Sequence, residues 1–221
     1  GIMDNLSINN IQSEASYIIW VDNGTYYAMN GTTELIEFSG TNATTVMQSC
    51  LDKGGKIIVK EGTYNINPLE ITKNNTILLG SGKGNTIFYL NAGSGNQQAI
   101  LVDNKNNVVI SSFSLDVNQA NQTSQPVEGI RGIVITNSEN ILISEVEVYN
   151  AGGCGIKTYG SQEVIIEKCE TYNNGLYSSS TGSIEVGATD YETENIRISN
   201  NYVHDNNGSG IVVYHGYGTA G

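Results

Sequence analysis

From Gly132 onward the sequence repeats itself loosely. Four segments carry the pattern: GIVITNSENILISEVEVYNAGG, GIKTYGSQEVIIEKCETYNNG, SIEVGATDYETENIRISNNYVHDNNG and GIVVYHGYG. Each opens with Gly or Ser and an alternating strand. A turn leads to a second strand ending near Ile143, Ile166 and Ile198. A third short strand follows, and an Asn-rich turn closes the unit at Tyr149-Asn150, Tyr172-Asn173 and His204-Asp205. An earlier copy runs from Ala99 through Ile110 to Leu115. Three short strands per unit, with units in the twenties to low thirties, predict an all-β parallel β-helix, a solenoid with one coil per unit. Coils stack at the strand spacing of about 4.8 Å. Ile100, Ile133, Ile156, Ile184 and Ile211 then form one inward ladder, and Phe113, Val146, Cys169 and Asn201 another. The spacing varies because the loops over residues 117–131 and 176–183 are long.

The earlier part of the chain has other periods. In residues 41–64, TNATTVMQSCLDKGGKIIVKEGTY, Ala43, Val46, Met47, Cys50 and Leu51 fall on one helical face. Asn42 suits the N-cap, and Gly54-Gly55 ends the helix. A β-helix end exposes apolar core and strand edges. A helix placed before the first coil, over Ile57 and Val59, is expected to plug that end. Before it, Asn23-Gly24 and Asn30-Gly31 mark turns in an antiparallel meander. The expected organisation is an arm over residues 1–16, the meander over 17–40, the capping helix over 41–53, and the β-helix over 54–221. GIVVYHGYGTAG opens a coil without completing it, so the β-helix is expected to continue beyond Gly221 or to be covered by a partner chain.

The helix, then GGKIIVKEGTYNI and NPLEITKNNTILLGSGKGNTIFYL, resembles the N-terminal part of the pectate-lyase-like superfamily, to which tailspike-like proteins also belong. The resemblance implies a right-handed, single-stranded parallel β-helix. It also implies that a functional site, if present, lies on the outer face of one sheet and its loops. The superfamily's lyases bind calcium through clustered carboxylates, so Ca2+ enters by resemblance alone. No such cluster is legible, and no cofactor or metal site is expected from the residues. The Asp-Asp pair of related polygalacturonases is absent, and YHG at residues 214–216 only faintly echoes their Gly-His-Gly segment. VHDNN is similar to turn sequences of sugar epimerases without their fuller acidic motif.

Composition excludes several partners. The formal net charge is -12, with ten scattered Lys and Arg. Nucleic acid requires clustered cations to neutralise phosphates, and an anionic membrane surface requires the same. No apolar run spans a bilayer. The three cysteines fit neither a disulfide framework nor zinc spacing and are expected to be buried. The chain begins at Gly1 with no visible signal peptide, so a removed leader or a trimmed chain is expected. Sequons at Asn5, Asn23, Asn30, Asn74, Asn121 and Asn207 are candidate glycan sites of an extracellular or cell- or virion-surface protein, whereas Asn42 is expected to serve as the helix cap.

Alternation along the first strand of each coil points Leu101, Val134, Lys157, Glu185 and Val212 outward as one row. Asp103, Thr136, Tyr159, Gly187 and Tyr214 form the next. Lys157 and Glu185 are therefore neighbours, either a weak surface ion pair or a sugar-contacting or acid–base pair. With His215 they are the catalytic candidates. Tyr159, Tyr214, Asp103 and Arg131 are the binding candidates, the tyrosines as stacking platforms. GSGKG lacks the Walker spacing and reads as a turn. A second outer column, Tyr149, Tyr172 and His204 with Glu147 and Glu170, is either a contact surface or a solvated face. Three readings stay open. One is a surface β-helix that binds polysaccharide or is structural. Another is a polysaccharide lyase or glycoside hydrolase. The third is a homo-oligomeric subunit of a tailspike, filament or surface layer.

Overall fold

The computed structural model describes residues 15–94, 98–122, 130–176, 181–187 and 192–214. Strands β1 (Tyr17–Asp22), β2 (Thr25–Asn30) and β3 (Ile36–Gly40) precede helix α1 (Ala43–Leu51). Then come β4 (Lys56–Val59), β5 (Gly62–Ile66), β6 (Leu69–Ile71), β7 (Ile77–Leu79), β8 (Thr86–Leu90) and β9 (Gln98–Asp103). The middle coils are built from β10 (Asn106–Asp116), β11 (Arg131–Thr136), β12 (Glu139–Tyr149) and β13 (Ile156–Tyr159). The final ones are built from β14 (Gln162–Glu167), β15 (Glu170–Tyr172), β16 (Gly182–Val186), β17 (Arg197–Ser199), β18 (Tyr202–His204) and β19 (Ser209–Val213).

Each coil crosses three flanks. A six-stranded sheet, ordered β19-β16-β13-β11-β9-β6, forms one flank. A thirteen-stranded sheet forms the other two and is folded along its length. Strand β10 shows the fold: its first half pairs with β7 and its second half with β8, both parallel. Strand β12 does likewise with β14 and β15. The corner falls at Ser112, Glu145, Lys168 and Asn200, all with positive φ. Such left-handed corners suit Asn, whose side chain tolerates αL. That explains the Asn-rich composition: Asn75, Asn107 and Asn140 occupy another αL corner, Asn104 and Asn137 a third, and Asn150 and Asn173 a fourth. Their amides also bond from coil to coil, as Asn107 Nδ2 does to Asn75 Oδ1 at 3.0 Å.

Inward residues stack in register. Leu69, Ile100, Ile133, Ile156, Ile184 and Ile211 line the six-stranded flank. Ile57, Leu78, Ile110, Ile143, Ile166 and Ile198 line the first flank of the large sheet. Tyr64, Phe88, Leu115, Val148, Thr171 and Val203 line its second flank. Ile100 to Ile184 are fully buried, whereas Ile211, the last rung, is 49% exposed. The core is continuous through the stacked coils, as nearest-neighbour stacking requires. Cys50, Cys154 and Cys169 are buried free thiols.

The N-terminal strands are part of this architecture. Strand β1 pairs antiparallel with β2 and also parallel with β4, setting Tyr17 on Ile57 and Ile19 on Val59. The first coil's edge is thereby paired, which removes an open edge, and the large sheet ends at β3. Helix α1 begins at Asn42, whose side chain accepts from Thr45 N at 3.2 Å. It buries Ala43, Val46, Met47, Cys50 and Leu51 in the same core as Ile57, Val59 and Ile71.

Candidate functional site

The outer face of the six-stranded sheet carries most of the candidate residues. Register places Leu101 beside Val134, Val134 beside Lys157, Lys157 beside Glu185 and Glu185 beside Val212. Alternation fixes the face but not its cover. Glu185 is only 2% exposed, so the contact is no surface ion pair. The Lys157 ammonium donates to Glu185 Oε1. The Cys154 thiol donates to Glu185 Oε2 at 2.9 Å. Burial, then the Glu185 charge, pushes the Cys154 thiol up to about 12, against the lowering pull of Lys157 and Arg131. Cys154 is therefore a proton donor to the carboxylate and a poor nucleophile at neutral pH. Its place in this cluster has no signal in the sequence, where GGCG reads as a turn with a small apolar residue.

Lys157 Nζ also sits 5.4 Å from the centroid of the Tyr159 ring, a cation–π distance. Tyr159 lies beside Thr136, and Thr136 beside Asp103. Asp103 is two strands away, about 10 Å along the axis, and accepts from Asn137 Nδ2 at 3.2 Å. Tyr214 is two strands away in the other direction and 37% exposed, its backbone N bonded to Val186 O. Arg131 starts the neighbouring strand, opposite Gln98. Its Nε is buried with no hydrogen-bond partner among the described residues. The structure thus gathers Arg131, Lys157, Tyr159, Glu185 and Cys154, and leaves Asp103 and Tyr214 at the two ends. His215 lies outside the described residues.

The second outer column lies on the far flank of the large sheet. Tyr149, Tyr172 and His204 are register partners. The tyrosine rings stack at 5.0 Å and 3°, and Tyr172 stacks on His204 at 5.1 Å and 18°. Tyr202 closes on His204 at 4.1 Å. Tyr172 donates to Glu147 Oε1 at 3.0 Å, and Ser114 donates to Glu147 Oε2. Burial and the Glu147 bond push the Tyr172 phenol well up, and burial with Asp116 and Glu147 pushes Tyr149 up to about 12. His204 faces Asp205 at 2.8 Å through Nδ1 and Glu170 at 3.4 Å through Nε2. Lys83 reaches the other Glu170 oxygen at 3.4 Å. The Asp205 bond, with help from Glu170, raises the His204 pKa despite desolvation. These rings spend their faces on one another, which leaves little platform for a sugar.

Other candidates resolve simply. Among the described residues, no group of three or more His, Cys, Asp or Glu side chains is arranged to hold a metal ion. The calcium of the superfamily's lyases therefore does not fit the described residues. GSGKG is the turn between β7 and β8, where Gly82 and Gly84 take positive φ and Gly84 N donates to Ser114 Oγ at 2.8 Å. Asn23, Asn74, Asn121 and Asn207 are exposed, and Asn30 is half-buried in its turn. Asn5 lies outside the described residues. No helix of the described residues is long and apolar enough to cross a membrane.

Comparison with known proteins agrees with this geometry. The model of a family described as "Right handed beta helix region" matches residues 78–220. The preneck appendage proteins of Bacillus phages PZA and phi29 are 24% identical over 192 residues, 75% of this chain and 21% of theirs. The chain therefore spans about a fifth of the length of the curated relatives it matches. Among solved structures, PfbA, a surface adhesin of Streptococcus pneumoniae, superimposes with a TM-score of 0.63 at 17% identity, covering 79% of this chain and 50% of that one. An Azotobacter vinelandii mannuronan C-5 epimerase A-module superimposes with a TM-score of 0.56 at 18% identity, covering 72% and 54%. At these identities the likeness is one of fold.

Proposed function

The chain belongs to the right-handed β-helix family, and from that premise we propose that it is a module of a virion- or cell-surface protein that engages an anionic polysaccharide on the outer face of its six-stranded sheet. The names of the phage appendage and adhesin relatives favour the location. One observation carries the site: on a chain of net charge -12, Lys157 is held by a single buried carboxylate, Glu185, with Tyr159 alongside and the Arg131 charge acting on the neighbouring Cys154. In this reading Glu185 anchors Lys157 rather than acting as a base, because both its oxygens already accept hydrogen bonds. Arg131 adds a positive charge that suits a carboxylate or phosphate. Tyr159 offers ring surface to a sugar. At the other end, helix α1 and β1–β3 close the core and hold the first coil.

The test is equilibrium binding to a panel of uronate-bearing, phosphodiester-bearing and neutral polysaccharides. Charged polymers are expected to bind, and Arg131→Gln to lose about tenfold or more, the scale of one charge-assisted contact. Equal binding of neutral polymers, or no effect of Arg131→Gln, overturns the proposal. Release of shortened glycan during the assay would move the reading to an enzyme.

A further inference from the structure

Four Asn-Gly pairs occur in the chain, beginning at Asn23, Asn30, Asn174 and Asn207. Such a pair can react within itself, because glycine has no side chain to keep its backbone nitrogen from the asparagine Cγ. The structure treats the four pairs differently. Asn30 Nδ2 donates to Glu37 Oε2 at 2.8 Å, and its Oδ1 accepts from Thr32 N at 2.9 Å. The nitrogen that would attack it, Gly31 N, donates to Ser16 O at 2.9 Å. Asn174 is fully buried. Its Nδ2 donates to Val148 O and Ser183 Oγ, its Oδ1 accepts from Ala151 N, and Gly175 N donates to Gly153 O. Asn207 is exposed, but its Nδ2 donates to Gly175 O at 3.1 Å on the neighbouring coil. Asn23 is the exception. With Gly24 it forms the two-residue tip between β1 and β2, closed by the Asp22–Thr25 pair. Both tip residues have positive φ, 47° and 77°, as a type I′ turn requires. Among the described residues, neither the Asn23 side chain nor Gly24 N has a hydrogen-bond partner. Both residues are exposed, and a Cβ added to Gly24 would meet nothing within 4 Å.

We propose that Asn23 is a site of spontaneous covalent modification, with water as the only co-reactant. Gly24 N bonds to Asn23 Cγ, the Cγ–Nδ2 bond breaks, and ammonia leaves with the proton lost from Gly24 N. Water then opens the cyclic imide, giving a carboxyl group and returning a proton to Gly24 N. Attack at the side-chain carbonyl yields Asp. Attack at the Asn23 backbone carbonyl yields isoaspartate, whose chain runs through Cγ. Nothing is oxidised or reduced. At the other three pairs at least one hydrogen bond must first break, and one such bond slows the reaction about tenfold. The hairpin tip belongs to the least stable class of backbone and opens without disturbing a coil. Isoaspartate adds a backbone carbon to the tip. Loop length selects the turn, so the type I′ geometry and the Asp22–Thr25 closure are lost. Strand β1 also pairs with β4, which carries the change to the edge of the first coil. A glycan on Asn23 would occupy the same Nδ2 and block the loss of ammonia.

The experiment is peptide mapping by mass spectrometry of the folded, unglycosylated chain stored in warm, mildly alkaline buffer, with the chain unfolded in guanidinium as reference. Asn23 is expected to convert at least about tenfold faster than Asn30, Asn174 or Asn207 in the folded chain, and the four rates are expected to converge in guanidinium. The purified isoaspartate form is expected to exchange its β1 amide hydrogens faster than the parent. Asn23→Asp carries the same added charge on an Asp-Gly turn of unchanged length, and is expected to exchange as the parent does. Equal rates at the four pairs of the folded chain, or faster conversion at any of the other three, overturn the proposal. So does a preference for Asn23 that persists undiminished in guanidinium. Unchanged β1 exchange in the isoaspartate form overturns the effect on the first coil.

Discussion

Replacing Lys157 with methionine isolates the cost of a buried, unpaired carboxylate. The side chains of Lys157 and Glu185 are 15% and 3% exposed. Without the ammonium, Glu185 keeps one donor, the Cys154 thiol, a weak one. Breaking a buried pair from one side costs about 3–5 kcal/mol, and the Arg131 charge nearby argues for the lower end. An exposed pair would cost about 0–1 kcal/mol, so the two pictures separate cleanly. At about 2–4 °C per kcal/mol for a chain of this size, the expected fall in Tm is roughly 6–12 °C. The double variant Lys157→Met/Glu185→Met removes both charges and is expected to recover most of the loss. Urea unfolding followed by far-UV circular dichroism reads both variants. A loss below about 1 kcal/mol for Lys157→Met, with no recovery in the double variant, would show that solvent screens the pair and would refute the argument.

Three other outcomes follow from the same contacts. His204 has a raised folded-state pKa, so its contribution is fully present below the unfolded value of about 6.5 and is lost as pH rises through the folded value. Hydrogen exchange at β18, corrected for intrinsic rates, should therefore quicken as pH climbs from the acid side, and His204→Gln should flatten that response. Thr158 and Thr171 each bury a hydroxyl with no hydrogen-bond partner among the described residues, between Ile135 and Val186 and between Val148 and Val203. Valine at either position should raise stability by about 1 kcal/mol in urea titration, and a loss would mean that the hydroxyl is paired. Ile143→Ala opens a cavity between Ile110 and Ile166, all fully buried, and should cost about 2–5 kcal/mol in the same titration.

Which of these features the sequence discloses depends on how local their cause is. The Ile100-to-Ile211 ladder is legible because inward positions repeat at corresponding places in every unit, and register follows. The Lys157–Glu185 adjacency follows from the same ladder. Its burial does not, because alternation names a face and says nothing about what lies over it. Cys154 escapes for a related reason: its bond to Glu185 spans two coils and has no periodic signature. The pairing of β1 with β4 joins strands separated by a helix, and turn signals cannot reveal it.

The central claim is that the Arg131–Lys157–Tyr159 face holds an anionic glycan, and a structure of the chain with a bound acidic oligosaccharide tests it most directly. The account predicts an acidic group of the sugar within hydrogen-bond reach of the Arg131 guanidinium and a sugar ring against Tyr159. A glycan seated on the Tyr149–Tyr172–His204 column, with the six-stranded sheet bare, would contradict it.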